Sequence, residues 1–328
     1  MRYDRHAEMG APLERVVPEE PEETPSTRIS VIIVSYNCEA ALRRTLRSLQ
    51  DPEKPETAEI LVADNGSADA SSHMDDEFPQ VTVLRLPKNF GRTKARNIAA
   101  RTAKGTYLLL LEPGVELYPC DLLGLEAVLE QSPQAVAASP LLTEPDGTIL
   151  TGVGSLPSLD ELYEAWKRGQ DWFDSLPRFV PDATADPVRV QCVTPGALLV
   201  RSAFVRGMNY FDERYGDWGA ELDLFTRIQD ARRQLLLVPT IRAVWNRSEG
   251  LWRPQSVAAR ALISADRASG ILRWAHKNAG FLTAFKLRLR MAGWSFASLL
   301  GFSEPSYYSA LLGHLLSGRR IDGTQVEL

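Results

Sequence analysis

The chain has 328 residues, of which 44% are hydrophobic and 24% are charged. This length suffices for one large α/β domain with additions or for two domains, and the composition is that of a globular protein with a core. The formal net charge of −5 disfavours non-specific binding to nucleic acid. Its three cysteines are far apart and show neither metal spacing nor a disulfide framework, so we expect a reducing, cytoplasmic setting.

The N-terminal segment, residues 1–27, is rich in Glu and Pro and lacks the basic and apolar parts of a signal sequence. We expect it to be a solvated, mostly disordered tail. The chain contains no uninterrupted run of about 18 apolar residues, so no transmembrane helix is predicted. After the tail we expect a nucleotide-binding domain at residues 28–250 and a helical extension at residues 251–328.

Four apolar runs in the first third of the chain predict four strands separated by helices. The alternation of strand and helix predicts a parallel sheet with right-handed crossovers. The predicted strands are Ile29–Ser35, Glu59–Asp64, 81–86 and 107–112, and the predicted helices include one with Leu42, Leu46 and Leu49 on one face, 93–103 and 121–131.

The pattern changes after residue 132, where shorter strands replace the regular alternation. Residues 155–187 hold several aromatic side chains among many charges and predict no definite element. Beyond residue 255 the chain is predicted to be helical. The further predicted elements are strands at 135–142, 147–150, 188–200, 235–239 and 242–245, and a helix at 220–232.

Polar side chains follow each of the four predicted parallel strands. In an open α/β sheet, ligands bind at the carboxyl ends of the strands, and a site built there can hold a nucleotide. The residues at these ends are Tyr36 and Asn37, Asp64 and Asn65, Asn89 and Gly91, and Glu112.

Several short motifs, taken in order and with their spacing, resemble family 2 glycosyltransferases of the GT-A fold, in particular the rhamnosyltransferase-like members. The resemblance covers residues 28–249, with a weaker similarity in the C-terminal helices. It implies an α/β nucleotide-binding domain with a mostly parallel central sheet, followed by a helical extension. The matching segments are VIIVSYN (31–37), VADNGSAD (62–69), NFGRTKARN (89–97), GALLVRSAF (196–204), FDERY (211–215) and ELDLFTRI (221–228).

The resemblance also implies an activity, the inverting transfer of a sugar from a nucleoside-diphosphate sugar to an acceptor hydroxyl. The acceptor would be a glycan, a lipid-linked molecule or a small molecule. Acceptor contacts are expected from residues 140–190 and 210–219. A catalytically weakened relative that binds a nucleotide sugar, a glycan or a protein partner is the alternative. A nucleotidyltransferase ranks last, because no Gly-rich phosphate loop follows the first strand.

The nucleoside is expected to lie against the ends of the first two strands. The resemblance implies that Asp64 accepts a hydrogen bond from a base N–H, since a carboxylate can only accept. Asn65, together with the chain at Ser35, Tyr36 and Asn37, would frame the base and ribose. The alternative is an ordinary turn, because Asp, Asn, Gly and Ser are common turn formers.

The segment after the third strand is expected to approach the donor phosphates. Asn89 and Gly91 would let the backbone come close, because glycine lacks a Cβ. Arg92, Lys94 and Arg96 lie at the predicted start of a helix, where the helix N-terminus and the cations would favour phosphate. For Lys94, an ordinary solvated basic face is the alternative.

The acidic motif after the fourth strand departs from the family pattern. The family usually carries a carboxylate there that holds Mg²⁺ or Mn²⁺ against the diphosphate. Here Gly114 takes the place of the metal-binding Asp, and Glu112 replaces the preceding Asn or Asp. Asn246 replaces a His that can contact the metal, while the next residue, Arg247, could supply positive charge. Metal binding by Glu112 stays open, and metal-independent transfer or lost catalysis are the alternatives.

The expected general base is also altered. The resemblance places Glu221 where the family has the catalytic Asp, and Ala220 where it has the preceding Glu. A Glu within about 3 Å of the attacking hydroxyl could still accept its proton. Asp223 would support it and pair with Arg227 four residues on. A first-turn acidic residue that favours the helix dipole is the alternative for Glu221.

The predicted C-terminal helices mix aromatic and basic residues between positions 271 and 300. Such a stretch can lie on an anionic membrane surface, which would place the protein at the inner face of the membrane. Packing on the catalytic domain or a homodimer contact is the alternative, because apolar residues at helical spacing are usually core.

Overall fold

The computed structural model describes residues 28–50, 58–180, 186–247, 256–301, 304–318 and 321. The predicted tail at residues 1–27 lies outside these ranges. Within them, the first four strands and the helix before the fourth confirm the predicted elements to within one residue at each end. The elements are β1 (Ile29–Ser35), α1 (Glu39–Ser48), β2 (Glu59–Asp64), α2 (Met74–Glu77), β3 (Val81–Arg85), α3 (Arg92–Thr102) and β4 (Tyr107–Leu111).

The middle of the chain contains shorter elements. The elements from residue 115 to residue 193 are β5 (Val115–Glu116), α4 (Pro119–Gln131), β6 (Ala135–Thr143), β7 (Val153–Gly154), α5 (Leu159–Lys167), β8 (Val188–Val190) and β9 (Cys192–Val193). The remaining ones are β10 (Ala197–Arg201), α6 (Ser202–Gly207), α7 (Ala220–Asp230) and β11 (Gln234–Trp245), with 3₁₀ turns at Ala70–His73, Trp172–Ser175 and Glu213–Tyr215.

Three strand predictions were wrong in detail. The predicted strand at residues 188–200 is three separate strands, β8, β9 and β10. Residues 147–150 form a turn that touches the sheet through one bridge, between Thr143 and Ile149, and Gly147 has a φ of 87° that breaks a regular strand. The two predicted closing strands are one strand, β11, whose register against β6 shifts between Val238 and Arg242. The residues that suggested a break therefore mark an irregularity within a continuous strand.

The central sheet has the strand order β3-β2-β1-β4-β10-β6-β11-β5, and β8 also pairs with β11. The strands β1 to β4, β6 and β11 run in one direction, while β5, β8 and β10 run against it. The prediction of a mostly parallel sheet is confirmed. Because β1, β2 and β4 are parallel neighbours, their carboxyl ends meet at the same edge of the sheet.

The core has a layer on each face of the sheet, and β4 shows how the sequence supplies both. Its residues Leu108 and Leu110 pack into the layer that holds α3 and α7, while Leu109 and Leu111 pack into the layer that holds α1 and α4. Successive side chains of a strand point to opposite faces, so a strand covered on both faces needs a continuous apolar run.

Three helices follow the sheet: α8 (Val257–Ala279), α9 (Phe281–Leu300) and α10 (Pro305–Ser317). Helix α8 is joined to the α/β layers by two indole hydrogen bonds. Trp274 Nε1 donates to Thr226 Oγ1 at 2.8 Å, and Trp166 Nε1 donates to Ser264 O at 2.8 Å. Among the described residues, no helix combines the length and hydropathy needed to cross a bilayer.

Candidate active site

A cleft of about 590 Å³ opens at the carboxyl ends of β1, β2 and β4. Four parts of the chain that are distant in sequence form its walls: the strand ends, the 3₁₀ turn at 172–175, the loop before α7, and helix α8. Of the predicted site residues, the structure brings together in this cleft Tyr36, Asn65, Asn89, Arg92, Glu112 and Glu221.

The ends of β1 and β2 are fixed by a buried carboxylate. Asp64 accepts hydrogen bonds from Ser35 Oγ and from the backbone N–H of Ser67, both at 3.1 Å. Its side chain is buried and is not part of the described cleft lining. Asp64 and Ser35 therefore shape the loop in this conformation, and a direct contact of Asp64 with a base stays a prediction.

Asn37 holds the same loop from the other side. Its backbone N–H donates to Ser67 Oγ at 3.0 Å, and its Oδ1 accepts from the N–H of Ala68 at 2.8 Å. Its φ of 47° is a conformation that Asn tolerates better than most residues. The described lining of the cleft includes Tyr36 but not Asn37, so these contacts give Asn37 a role in shaping the loop.

Two buried asparagines connect the ends of β2 and β3. Asn65 Nδ2 donates to Asn89 Oδ1 at 2.8 Å, and the backbone N–H groups of Phe90 and Gly91 donate to Asn65 Oδ1 and Asn89 Oδ1, both at 2.9 Å. Gly91 has φ 84° and ψ 149°, a region that is nearly exclusive to glycine. The motif therefore needs glycine for its backbone conformation.

The start of α3 is closed by the loop that precedes α7. The backbone N–H of Arg92 donates to Asp217 Oδ1, and that of Thr93 donates to Gly216 O at 3.0 Å. These first-turn N–H groups, which we expected to face phosphate, have partners within the protein. Lys94 lies over the ring of Phe90, with Nζ 4.4 Å from its centroid, and is absent from the cleft lining. Arg92 is the residue of α3 in the described cleft lining, so its side chain is the group of this helix that can reach a phosphate there.

Two arginines and two glutamates form an ion-pair network at the base of the cleft, which we call the Arg–Glu cluster: Arg92, Arg96, Glu112 and Glu221. Arg96 donates to Glu221 Oε1 at 2.6 Å and to Glu112 Oε1 at 3.2 Å. Arg92 lies 2.9 Å from Glu112 Oε1 and 3.7 Å from Glu221 Oε1.

Glu221 is the most deeply buried acid of the Arg–Glu cluster. Burial alone would raise the pKa of its carboxyl group, but the charges of Arg92 and Arg96 and the hydrogen bond from Arg96 outweigh it and lower the pKa to about 2. Glu221 is therefore ionised throughout the physiological range.

Asp223 lies on the same helix as Glu221 but belongs to a different network. Its Oδ1 accepts from Tyr215 Oη at 3.1 Å and from Lys277 Nζ, and its Oδ2 accepts from Arg227 Nε at 2.8 Å, which is the pairing expected four residues apart. Asp223 is not part of the cleft lining. These bonds connect α7 to α8 and to the 3₁₀ turn before it, so the contacts of Asp223 are those of a supporting residue.

The cleft also contains acidic residues that sequence reasoning missed. The backbone N–H of Asp217 donates to Asp266 Oδ2 at 3.2 Å, and both side chains line the cleft. Burial, together with the neighbouring charge of Asp217, raises the pKa of Asp266 well above its usual range. No local pattern could have paired these residues, because α8 reaches the loop only through tertiary packing.

Around the expected metal position, the described residues supply few ligands. Gly114 has a φ of 88°, its N–H donates to Thr45 Oγ1 at 2.9 Å, and its carbonyl accepts from Asn246 N at 3.2 Å. Arg247 pairs with Asp171 at 3.1 Å and with Asp174. Within the described part of the chain, no group of three or more His, Cys, Asp or Glu side chains is placed to hold a metal ion.

Comparison with solved structures identifies the fold. A crystal structure of GalNAc-T7 with UDP, GalNAc and Mn²⁺ superposes with a TM-score of 0.55 at 20% identity, covering 82% of this chain and 55% of that one. The chain thus spans about half the length of that structure. The shared fold is the GT-A fold of glycosyltransferases, as the sequence motifs implied.

Comparison of sequences identifies the family. The family model described as glycosyl transferase family 2 matches residues 30–204, just over half of the chain. The chain belongs to this family and is a glycosyltransferase that uses a nucleotide-sugar donor.

Two curated relatives add detail. An N-acetylglucosaminyl-diphospho-decaprenol L-rhamnosyltransferase of Mycobacterium tuberculosis is 26% identical over 275 residues, which is 75% of this chain and 88% of that protein. The UDP-Glc:alpha-D-GlcNAc-diphosphoundecaprenol beta-1,3-glucosyltransferase WfaP of Escherichia coli is 28% identical over 86 residues, which is 26% of this chain and 34% of WfaP.

Proposed function

We propose that the protein transfers a sugar, with inversion, from a nucleoside-diphosphate sugar to a hydroxyl group of a saccharide carried on a lipid diphosphate. The observation that carries the proposal is the placement of Glu221 in the same cleft as Asn65 and Asn89. A candidate base and the nucleotide end of the site thus share one cleft. Both named relatives have GlcNAc on a polyprenyl diphosphate in their names, which supports this class of acceptor and a role in polysaccharide biosynthesis.

In this proposal the donor lies along the strand ends. The base and ribose occupy the end of the cleft lined by Tyr36, Asn65 and Asn89, and the diphosphate lies toward Arg92. The acceptor enters from the other walls, between residues 171–173 and residues 217–219, which are parts of the segments expected to contact it. Its hydroxyl attacks the anomeric carbon from the face opposite the leaving diphosphate, so the configuration is inverted.

Glu221 takes the proton of the attacking hydroxyl. Its carboxylate is ionised at neutral pH, but a group with a pKa near 2 is a weak base. A phosphate bound to Arg92 compensates part of the positive charge that lowers the pKa of Glu221. Donor binding is therefore expected to strengthen Glu221 as a base. Asp223 contributes by fixing α7, through its bonds to Tyr215 and Lys277.

The closed Arg–Glu cluster favours one alternative, a relative that binds a nucleotide sugar and turns it over slowly or not at all. The two functions are separated by screening UDP-, dTDP- and GDP-sugars for thermal stabilisation and then measuring slow donor hydrolysis. In the Glu221→Gln variant we expect stabilisation by the donor to persist and hydrolysis to be abolished. Glu116→Gln, which removes the same charge outside the cleft lining, is the matched control and should retain hydrolysis. Stabilisation without turnover in the unaltered protein would support the binding alternative.

The position of the C-terminal helices suggests how such an acceptor is reached. Helix α9 carries exposed apolar side chains that include Phe281, Phe285 and Leu289, with the exposed cation Lys286 among them. This arrangement supports contact with an anionic membrane at its inner face, where a lipid-linked acceptor would be found. A homodimer contact through the same face is the alternative. The division into residues 28–250 and 251–328 remains part of the proposal, although α8 supplies one wall of the cleft.

A further inference from the structure

We infer that the guanidinium group of Arg92, rather than a divalent cation, neutralises the diphosphate of the donor. The inference rests on the proposed function, because it assumes that a nucleoside diphosphate occupies this cleft. Three observations support it: the position of Arg92 in the cleft, the hydrogen bonds that its N–H groups make, and the poor fit of the surrounding residues to a metal ion.

Arg92 lies between the two carboxylates of the Arg–Glu cluster and lines the cleft. Its Nη1 donates to Glu112 at 2.9 Å, and its Nη2 lies 3.7 Å from Glu221. Glu112 follows β4, and Glu221 stands at the start of α7. A side chain of this chain therefore already places a positive charge between the two carboxylates of the Arg–Glu cluster.

The residues around Glu112 do not fit a divalent cation. Both hydrogen bonds to Glu112 Oε1 come from guanidinium groups, one from Arg92 and one from Arg96. A cation beside this carboxylate would lie against two positive charges, and like charges at this range repel. Gly114 offers no side chain, and its φ of 88° would strain an Asp at that position. Among the described residues, no cluster of ligands replaces it.

Arg92 is better placed for this role than its neighbour Arg96. The Arg96 side chain is 5% exposed and is closed in by Glu221 and Glu112, whereas the Arg92 side chain is 32% exposed. Arg92 is also anchored: its backbone N–H donates to Asp217 Oδ1, and its Nη2 donates to Asp217 O at 2.8 Å. Within the described part of the chain its Nε–H has no acceptor. A guanidinium so held can present further N–H groups to phosphate, the geometry in which arginine exceeds lysine.

The test is a titration of UDP, dTDP and GDP into the metal-stripped full chain, in EDTA and again in Mn²⁺. Arg92→Ala and Arg92→Lys are compared with Arg101→Ala, a variant of the same helix whose arginine pairs with Glu213 outside the cleft lining. We expect the unaltered protein to bind one of the three nucleotides, with the same affinity in EDTA and in Mn²⁺. Arg92→Ala should weaken binding in EDTA by at least about tenfold, as expected for lost charge-assisted hydrogen bonds. Arg92→Lys should lose part of the affinity, and Arg101→Ala none.

The outcomes separate this inference from the proposed function. Nucleotide binding that disappears in EDTA and returns with Mn²⁺ would overturn the inference and leave the proposed function standing, as would undiminished binding by both Arg92 variants. Failure of the unaltered protein to bind any of the three nucleotides in either buffer would overturn both. Because Arg92→Ala could disturb the fold, its circular dichroism and thermal midpoint are measured first, and Arg92→Lys decides the question if the alanine variant is unfolded.

Discussion

The guanidinium of Arg96 donates to the carboxylate of Glu221 at 2.6 Å, and both side chains are almost completely buried, at 5% and 6% exposure. This pair joins α3 to α7 directly below the cleft. A buried ion pair is stable only while both partners remain, because removing one leaves an uncompensated charge in a poorly solvated place. A substitution of Glu221, the proposed base, is therefore expected to lower the stability of the fold as well as the activity.

The first prediction concerns acid stability. The folded-state pKa of Glu221 is about 2, compared with an ordinary value of 4.5. A depressed pKa stabilises the fold fully above pH 4.5, and this contribution is lost as the pH falls toward 2. The difference corresponds to about 3 kcal/mol. We expect Glu221→Gln to be less stable than the unaltered protein at pH 7 and to show a weaker loss of stability between pH 4.5 and pH 2. Urea unfolding across this range measures both, and parallel pH profiles for the two proteins would contradict the prediction.

The second prediction concerns the other partner. Arg96→Ala leaves the buried Glu221 and the partly buried Glu112 with one remaining arginine, and we expect it to lower the free energy of unfolding by about 3–5 kcal/mol. Arg101→Ala removes the same charge five residues further along α3, from an exposed pair with Glu213, and should cost no more than about 1 kcal/mol. Chemical denaturation of the two variants decides the matter. Equal losses in the free energy of unfolding for both substitutions would show that the buried ion pair stabilises the fold no more than the exposed pair does.

The third prediction tests the backbone at the cleft. A Cβ at Gly91 would find its nearest neighbour at 3.5 Å, so space is available, but the φ of 84° is unsuited to alanine. We expect Gly91→Ala to cost about 1–3 kcal/mol from backbone strain alone. Gly313, inside α10 with nothing near its Cβ position, is the matched control, and Gly313→Ala should stabilise by about 0.5–1 kcal/mol. Thermal unfolding shows whether each variant has a higher or lower midpoint than the unaltered protein. A higher midpoint for Gly91→Ala would contradict the argument from backbone strain.

The strands that carry the site were predictable because of how they are buried. A strand covered on both faces carries a nearly continuous apolar run, so β1 and β2 are recognisable directly in the sequence. The polar residues after them mark the sheet edge where ligands bind. The same reasoning failed at residues 147–150, because Gly147 and Thr148 lie in an exposed turn and the segment meets the sheet through a single bridge at Ile149.

The parts of the cleft contributed by distant segments could not be predicted. Asp266 reaches the cleft because α8 packs across α7, and no sequence spacing encodes that approach. The hydrogen bonds from the α3 N-terminus to Gly216 and Asp217 could not be predicted for the same reason. The sequence therefore suggested phosphate as the partner of backbone N–H groups that are bonded within the protein. Charge type and position could be derived from the sequence, but the pairing of charges depends on the fold.

The fourth prediction concerns helix α9, whose side chains Phe281, Phe285 and Leu289 are 70%, 45% and 54% exposed and lie four residues apart. Residues at this spacing share one helix face, and Phe281 and Phe285 stack with ring centroids 6.1 Å apart. An exposed apolar stripe with a neighbouring lysine suits insertion at the surface of an anionic bilayer. We expect the protein to sediment with vesicles of phosphatidylcholine and phosphatidylglycerol, and to bind less to vesicles of phosphatidylcholine alone.

The double variant Phe281→Ser and Phe285→Ser should lose this binding while it keeps its fold, because both side chains are exposed. Leu123→Ser, which changes an exposed apolar residue of α4, is the control and should bind vesicles normally. Binding that survives in the double variant would exclude this stripe as the contact surface. Absence of vesicle binding together with a dimer that the double variant abolishes, measured by light scattering, would instead assign the stripe to a contact between two copies of the chain.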